Sequence, residues 1–173
     1  MYQGIKTVSF EEAVKVVKSG DRIHIHSVAC APQGLIQALC ARGRAGELKN
    51  IKFMKCNAEY LPCYIPAGSV TTLYLNFSCP FPKKKYAKHR LTHPNFLKIY
   101  KQLLAPGAPI CQKTDNMHFF EFSLESFSQC GFRLSNISLD LHASDFEENI
   151  VTEYEKRFSD MGMPIYRLEA RLD

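Results

Sequence analysis

Short apolar strands alternate with helical patterns along most of this chain, and that alternation confines it to an α/β sheet, mostly parallel. The expected strands are "RIHIHSV" (22–28), "NIKFMKC" (50–56), Val70–Asn76, "APICQKT" (108–114), "FRLSNISLDL" (132–141) and "PIYRLEARL" (164–172). Between them, residues 35–42 and 94–104 read as helices. His118 to Cys130 reads as another, with Phe119, Phe120, Leu124 and Phe127 on one face and Gly131 as its stop. Ser9 and Glu12 fit a capping box at an N-terminal helix, and Thr152 to Phe158 forms a short one. Val70–Asn76 reads as the most buried strand. The last two strands lack a long intervening helix, which predicts one antiparallel strand at an edge. Ligands in such sheets bind at the C-terminal ends of strands, here Asn76-Phe77-Ser78-Cys79 and Lys113-Thr114-Asp115-Asn116.

At 173 residues the chain suits a single ordinary core. Its net charge of +5 is distributed unevenly. Between Pro82 and Gln102 lie seven Lys or Arg and no acid, whereas Ser144 to Asp160 holds six acids against two bases. That split predicts an anionic partner on one side and a site needing carboxylates on the other. Seven cysteines without a CxxC offer no zinc ribbon or thioredoxin-type motif and suit a reducing cytoplasm. No apolar run approaches the ~20 residues of a membrane span, so the expectation is a soluble cytoplasmic protein.

The stretch "LYLNFSCPFPKKKYAKHR" couples a buried strand end to a cationic arm. Pro80 and Pro82 stiffen the exit. Lys83, Lys84, Lys85, Lys88 and Arg90, interleaved with Tyr86 and His89, then present charge for phosphates and rings for bases. A solvated charge run is the plain alternative. Asp115, the only acid between Glu59 and Glu121, either accepts from a guanine edge or caps the next helix. "TEYE" (152–155) supplies a hydroxyl and two carboxylates, or simply starts a helix. Cys79 reads as a small apolar residue rather than a nucleophile. His24 and His26 share a strand face but lack a third ligand, so no metal is expected, and His142 stays undecided.

From about residue 50 onward the chain resembles the bacterial tRNA (guanine-N7)-methyltransferase family. The resemblance rests on "CNAEYL", "LYLNFSCPFPKKKYAKHRLTHPNFL", "KTDN", "LDLHASD" and "NIVTEYEKRFSDMGMPIYRLEA", in that order. It implies a Rossmann-like sheet using S-adenosylmethionine to methylate a guanine in the tRNA variable loop. Carried over by residue, it implies cofactor contacts at Asn57, Ala58 and Cys79, the last standing where the family typically has a catalytic aspartate. It implies substrate contacts at Lys83, Asp115, Thr152 and Glu155. It implies RNA contacts along Lys85, Tyr86, Ala87, Lys88, His89 and Arg90.

The family's glycine-rich loop after the first strand, and the acid after the second, are absent from the sequence. Residues 1–49 instead resemble the N-terminus of the acetyl-CoA hydrolase and CoA-transferase family, through "KTVSFEEAVKVVKSGDRIHIHSVACAPQGLIQAL". The expectation is a junction near Lys49-Asn50, with residues 1–49 packing as part of the same domain as 50–173 and standing in for the cofactor unit.

Overall fold

In the computed structural model, four strands among the described residues form one sheet in the order β1-β2-β4-β3. They are β1 (Leu73–Asn76), β2 (Ile110–Thr114), β3 (Arg133–Ser138) and β4 (Tyr166–Arg171). The structure describes residues 9–16, 33–47, 54 and 56–172. The chain divides into two units, Met1–Lys55 and Cys56–Asp173.

In the first unit, α1 (Phe10–Ala13) runs on as a 3-10 turn, and α2 spans Gln33–Arg44. Ser9 Oγ accepts from Glu12 N at 3.2 Å, the N-cap expected from the sequence. The Arg42 guanidinium donates to the Val14 carbonyl and, at 2.8 Å, to Glu47. The expected strand at 22–28, with His24 and His26, lies outside the described residues, as does nearly all of 50–56.

In the second unit, α3 (Pro94–Leu103) carries the chain from β1 to its parallel neighbour β2. Pro94 sits in the first turn, where its missing N–H costs nothing. Next, α4 (Met117–Gln129) carries the chain from β2 to β3, leaving room for one strand between them. Its N-cap is Asn116, whose side chain accepts from Phe119 N at 2.9 Å.

The last helix, α5 (Glu153–Ser159), has only seven residues. That is too short for a crossover, so β4 returns antiparallel and fills the gap, pairing with β2 on one side and β3 on the other. The antiparallel strand expected at an edge is therefore interior, and β3 is the edge. β4 rather than β1 is the most buried strand: five of its six residues are buried, against two of four in β1.

Packing explains why "YRLEAR" did not read as a central strand. Leu168 and Ala170, both 0% exposed, join the main core with Leu97, Tyr100, Ile110, Phe120 and Phe127. The opposite face carries Arg167 and Glu169, which pair with each other, while Arg171 reaches Glu169 at 2.8 Å. Phe146 lies under the Arg167 guanidinium at 3.8 Å. A charged face that would suit solvent is thus buried in compensated form.

Burial of Glu169 favours its neutral form. Hydrogen bonds from Arg167 and Asn136 and the charges of Arg167 and Arg171 outweigh this, so its pKa falls below the ordinary 4.5. A depressed carboxylate pKa stabilises the fold above the unfolded-state value and loses that contribution as pH falls through the folded one. The stability gap between wild type and Glu169→Gln, measured by urea unfolding, is expected to be full at pH 7. It should close only below pH 4.5. An equal gap at pH 7 and pH 3 would remove the ionic contribution.

Candidate functional site at the strand ends

Because β1 and β2 run parallel with Asn76 opposite Lys113, their C-terminal ends open side by side. The backbone after β1 turns sharply. Phe77 and Phe81 take left-handed angles, φ 51° and 41°, costing of order 1–3 kcal/mol each for bulky residues. Contacts from Phe77 and Arg90 hold that strain. Phe77 N donates to the Lys113 carbonyl at 2.7 Å, and its ring packs 4.7 Å from Tyr154. Arg90 donates from Nε to the Pro80 carbonyl at 2.8 Å and from Nη2 to the Phe81 carbonyl at 3.0 Å. Its guanidinium lies 4.5 Å over the Phe122 ring.

Arg90 is therefore buried and turned inward, apart from the other cations of its segment. Lys83, Lys84, Lys85 and Lys88 are exposed, on and before a 3-10 turn spanning Lys84–His89. No ion pair engages any of the four among the described residues. Ala87 is half-buried, and the exposed Tyr86 and His89 rings lie 6.1 Å apart. Cys79 is exposed at the crest of the turn. The six described cysteines are all free.

Asp115 follows β2 half-buried. Asn116, not Asp115, caps α4, and among the described residues the Asp115 carboxylate has no hydrogen-bond or ion-pair partner. The capping alternative for this aspartate is thus taken by its neighbour.

Thr152 and Glu155 do form a capping box at α5. Glu155 is 0% exposed. It meets Lys113 Nζ at 2.8 Å, Asn149 Nδ2 at 2.6 Å and His142 Nε2 at 3.2 Å. Lys113, Asn149 and His142 went unassigned in the sequence. Nothing local in "QKTD" marks a partner 42 residues away.

Asn57 opens a 3-10 turn over Ala58–Cys63, its Oδ1 accepting from Glu59 N at 3.3 Å. Asn57 and Glu59 face Phe81, Tyr86, His89, Leu91 and Phe96 across an open cleft of about 490 Å³. This joins the Asn57 turn to the cationic segment, and Ala58 lies beside it, packed against the core. A second orphan sits at the end of β1: Asn76, 9% exposed, has an Oδ1 with no partner. Among the described residues no three metal-binding side chains converge, and no helix is long and apolar enough to cross a membrane.

A family model described as "Putative methyltransferase" matches residues 25–168. The chain belongs to this methyltransferase family. Among similar curated proteins are tRNA (guanine-N(7)-)-methyltransferases of Streptococcus thermophilus and Streptococcus agalactiae. The first, from strain CNRZ 1066, is 49% identical over 127 residues, 73% of this chain and 60% of the relative. The second, from serotype III strain NEM316, is 52% identical over 123 residues, 71% of this chain and 58% of the relative. The chain thus spans about 60% of the length of these curated relatives.

Among solved structures, a SAM dependent methyltransferase from Aquifex aeolicus aligns with TM-score 0.50 and 12% identity, covering 82% of this chain and 65% of that one. The cyclase SpnF aligns with TM-score 0.51 and 13% identity, covering 82% and 63%. These show a methyltransferase-type fold, in agreement with the Rossmann-like sheet expected. The fold by itself does not choose the reaction, since one of the two carries a different chemistry in its name.

Proposed function

We propose that the chain transfers a methyl group from S-adenosylmethionine to N7 of a guanine in the tRNA variable loop. The observation that carries this is one shared opening. The Asp115 carboxylate, unpartnered among the described residues, and the turn leading to four lysines that make no ion pair among them lie at the ends of adjacent parallel strands. The names of the streptococcal relatives support the same substrate.

The cleft beside Asn57 tests whether the residues suit the cofactor. Aromatic and apolar side chains with one carboxylate and one amide match the adenosyl end, a flat adenine ring with an amino donor joined to a ribose with hydroxyl donors. Asn57, Ala58 and Cys79 are the residues proposed to hold it. When bound, the cofactor supplies an electrophilic methyl on a sulfonium. N7 carries its own lone pair, so the protein needs no base there and acts chiefly by alignment. Asp115 accepts from the guanine N1–H and N2–H donors, fixing the ring and favouring the positive charge that develops on it.

Lys83 and Lys85 to His89 grip the RNA, while Arg90 supports the turn from behind. Changing Lys83 and Lys85 to Ala is expected to weaken tRNA binding and to flatten the dependence of log K on log salt. About one unit of slope per lost phosphate contact is expected, and an unchanged slope would take the arm out of the RNA site.

The reading of residues 1–49 as a CoA-transferase-like beginning, packed into the same domain, is a proposal resting on its residue pattern alone. The family match from residue 25 weighs against a junction as late as residue 49. A cytoplasmic location is likewise proposed from the tRNA substrate.

The deciding experiment incubates the protein with methyl-labelled S-adenosylmethionine and tRNA lacking the N7 methyl group. Label recovered as 7-methylguanine is the expected result. Binding of tRNA without binding of S-adenosylmethionine would replace this reading with a cofactor-free RNA-binding module.

A further inference from the structure

We propose that Lys113 positions the loop 149–155 through Asn149, Ile150 and Glu155 together, and that Glu155 itself makes no contact with substrate. This rests on the tRNA reading above for the identity of the substrate, but not for the geometry. An ammonium has three N–H donors. Those of Lys113 are matched by three acceptors: Asn149 Oδ1 at 2.8 Å, the Ile150 carbonyl at 3.0 Å and Glu155 Oε2 at 2.8 Å. All three belong to the loop and first helical turn within the acidic segment 144–160.

Glu155 is equally committed. Its Oε1 accepts from Asn149 Nδ2 and faces His142 Nε2, while Oε2 takes Lys113 and faces Thr152 N at 3.5 Å. With its side chain 0% exposed, nothing of this carboxylate is left for a guanine. Of the two carboxylates that the resemblance places on substrate, only Asp115 is open. It sits two residues beyond Lys113, so the residue that pins the loop also sets the strand end carrying the free carboxylate. The Thr152 hydroxyl accepts from Glu155 N at 3.1 Å.

The pair can be tested because the two roles differ in sign. Removing one partner of a buried ion pair leaves an uncompensated charge, whereas neutralising both together is often nearly neutral. The proteins compared are wild type, Lys113→Met, Glu155→Gln, the double variant and the conservative Lys113→Arg. Two quantities are read: amide hydrogen exchange across residues 149–155 in the free protein, and the Kd for tRNA.

Lys113→Met is expected to speed exchange on the order of 100-fold and to weaken tRNA binding at least about 10-fold. Lys113→Arg should recover both to within a few-fold of wild type, and the double variant, rid of the unpaired carboxylate but still without the bonds to Asn149 and Ile150, should recover part of both relative to Lys113→Met. Restored exchange in a double variant that binds tRNA no better than Glu155→Gln would make Glu155 a direct contact and overturn the proposal. Unchanged exchange in Lys113→Met would overturn it as well. Should the wild type fail to bind tRNA, the functional reading falls, and the exchange series alone still decides the role of Lys113.

Discussion

Arg90→Ala is expected to destabilise the Cys56–Asp173 unit by roughly 2–4 kcal/mol while leaving the salt dependence of the proposed tRNA binding unchanged. The side chain is 9% exposed and donates to two carbonyls. Hydrogen bonds from a charged donor contribute about 1.5–3 kcal/mol each. Its face-on contact with Phe122 adds on the order of 1 kcal/mol. Part of this returns as the freed carbonyls meet water, which sets the range given. The loss has a second consequence, since Arg90 closes the turn whose strained Phe77 and Phe81 hold Cys79 at the strand end. Urea unfolding measures the first effect, and tRNA titration across a salt series measures the second. Little loss of stability with a salt slope reduced by about one would make Arg90 an RNA contact after all.

Phe127→Ala is expected to cost about 3–5 kcal/mol, the usual range for emptying a fully buried phenyl site. Phe127 is 0% exposed on α4 and meets Phe132 edge-on with ring centroids 5.4 Å apart. Backbone contacts surround the site too: Phe132 N donates to the Phe127 carbonyl at 3.0 Å, and Gly131, at φ 75°, makes the reversal that brings β3 back. The cavity therefore has little freedom to collapse. Domains of this size hold only about 5–15 kcal/mol in total, so the melting temperature should fall by roughly 10–20 °C. A fall under about 5 °C would show that the core relaxes around the gap.

Periodicity and punctuation were enough to locate the helices and strands of the second unit, because both are local. Pro94 in a first turn and Gly131 after a last turn mark their helices through interactions within four residues. Strand polarity and order are not local. The antiparallel strand was legible from the short α5, but its interior position depends on α4 leaving a gap. The charged face of β4 is stable only because Arg167, Glu169, Arg171 and Phe146 meet there.

The same division holds at the site. The sequence by itself determined that a strand end, a stiff turn and a row of cations follow one another, and that Asp115 stands alone among acids over sixty residues. Tertiary structure decided which groups stay free to act. It assigned the helix cap to Asn116 and left Asp115 open, turned Arg90 inward among the cations, and used up Glu155 on Lys113, Asn149 and His142. Those outcomes depend on which donors and acceptors the folded chain brings together, from neighbours in one turn to Lys113 and Glu155, 42 residues apart, and on burial that makes such pairing obligatory. A linear pattern carries residue types and spacings, but the partner of a buried charge is set only when the chain closes around it.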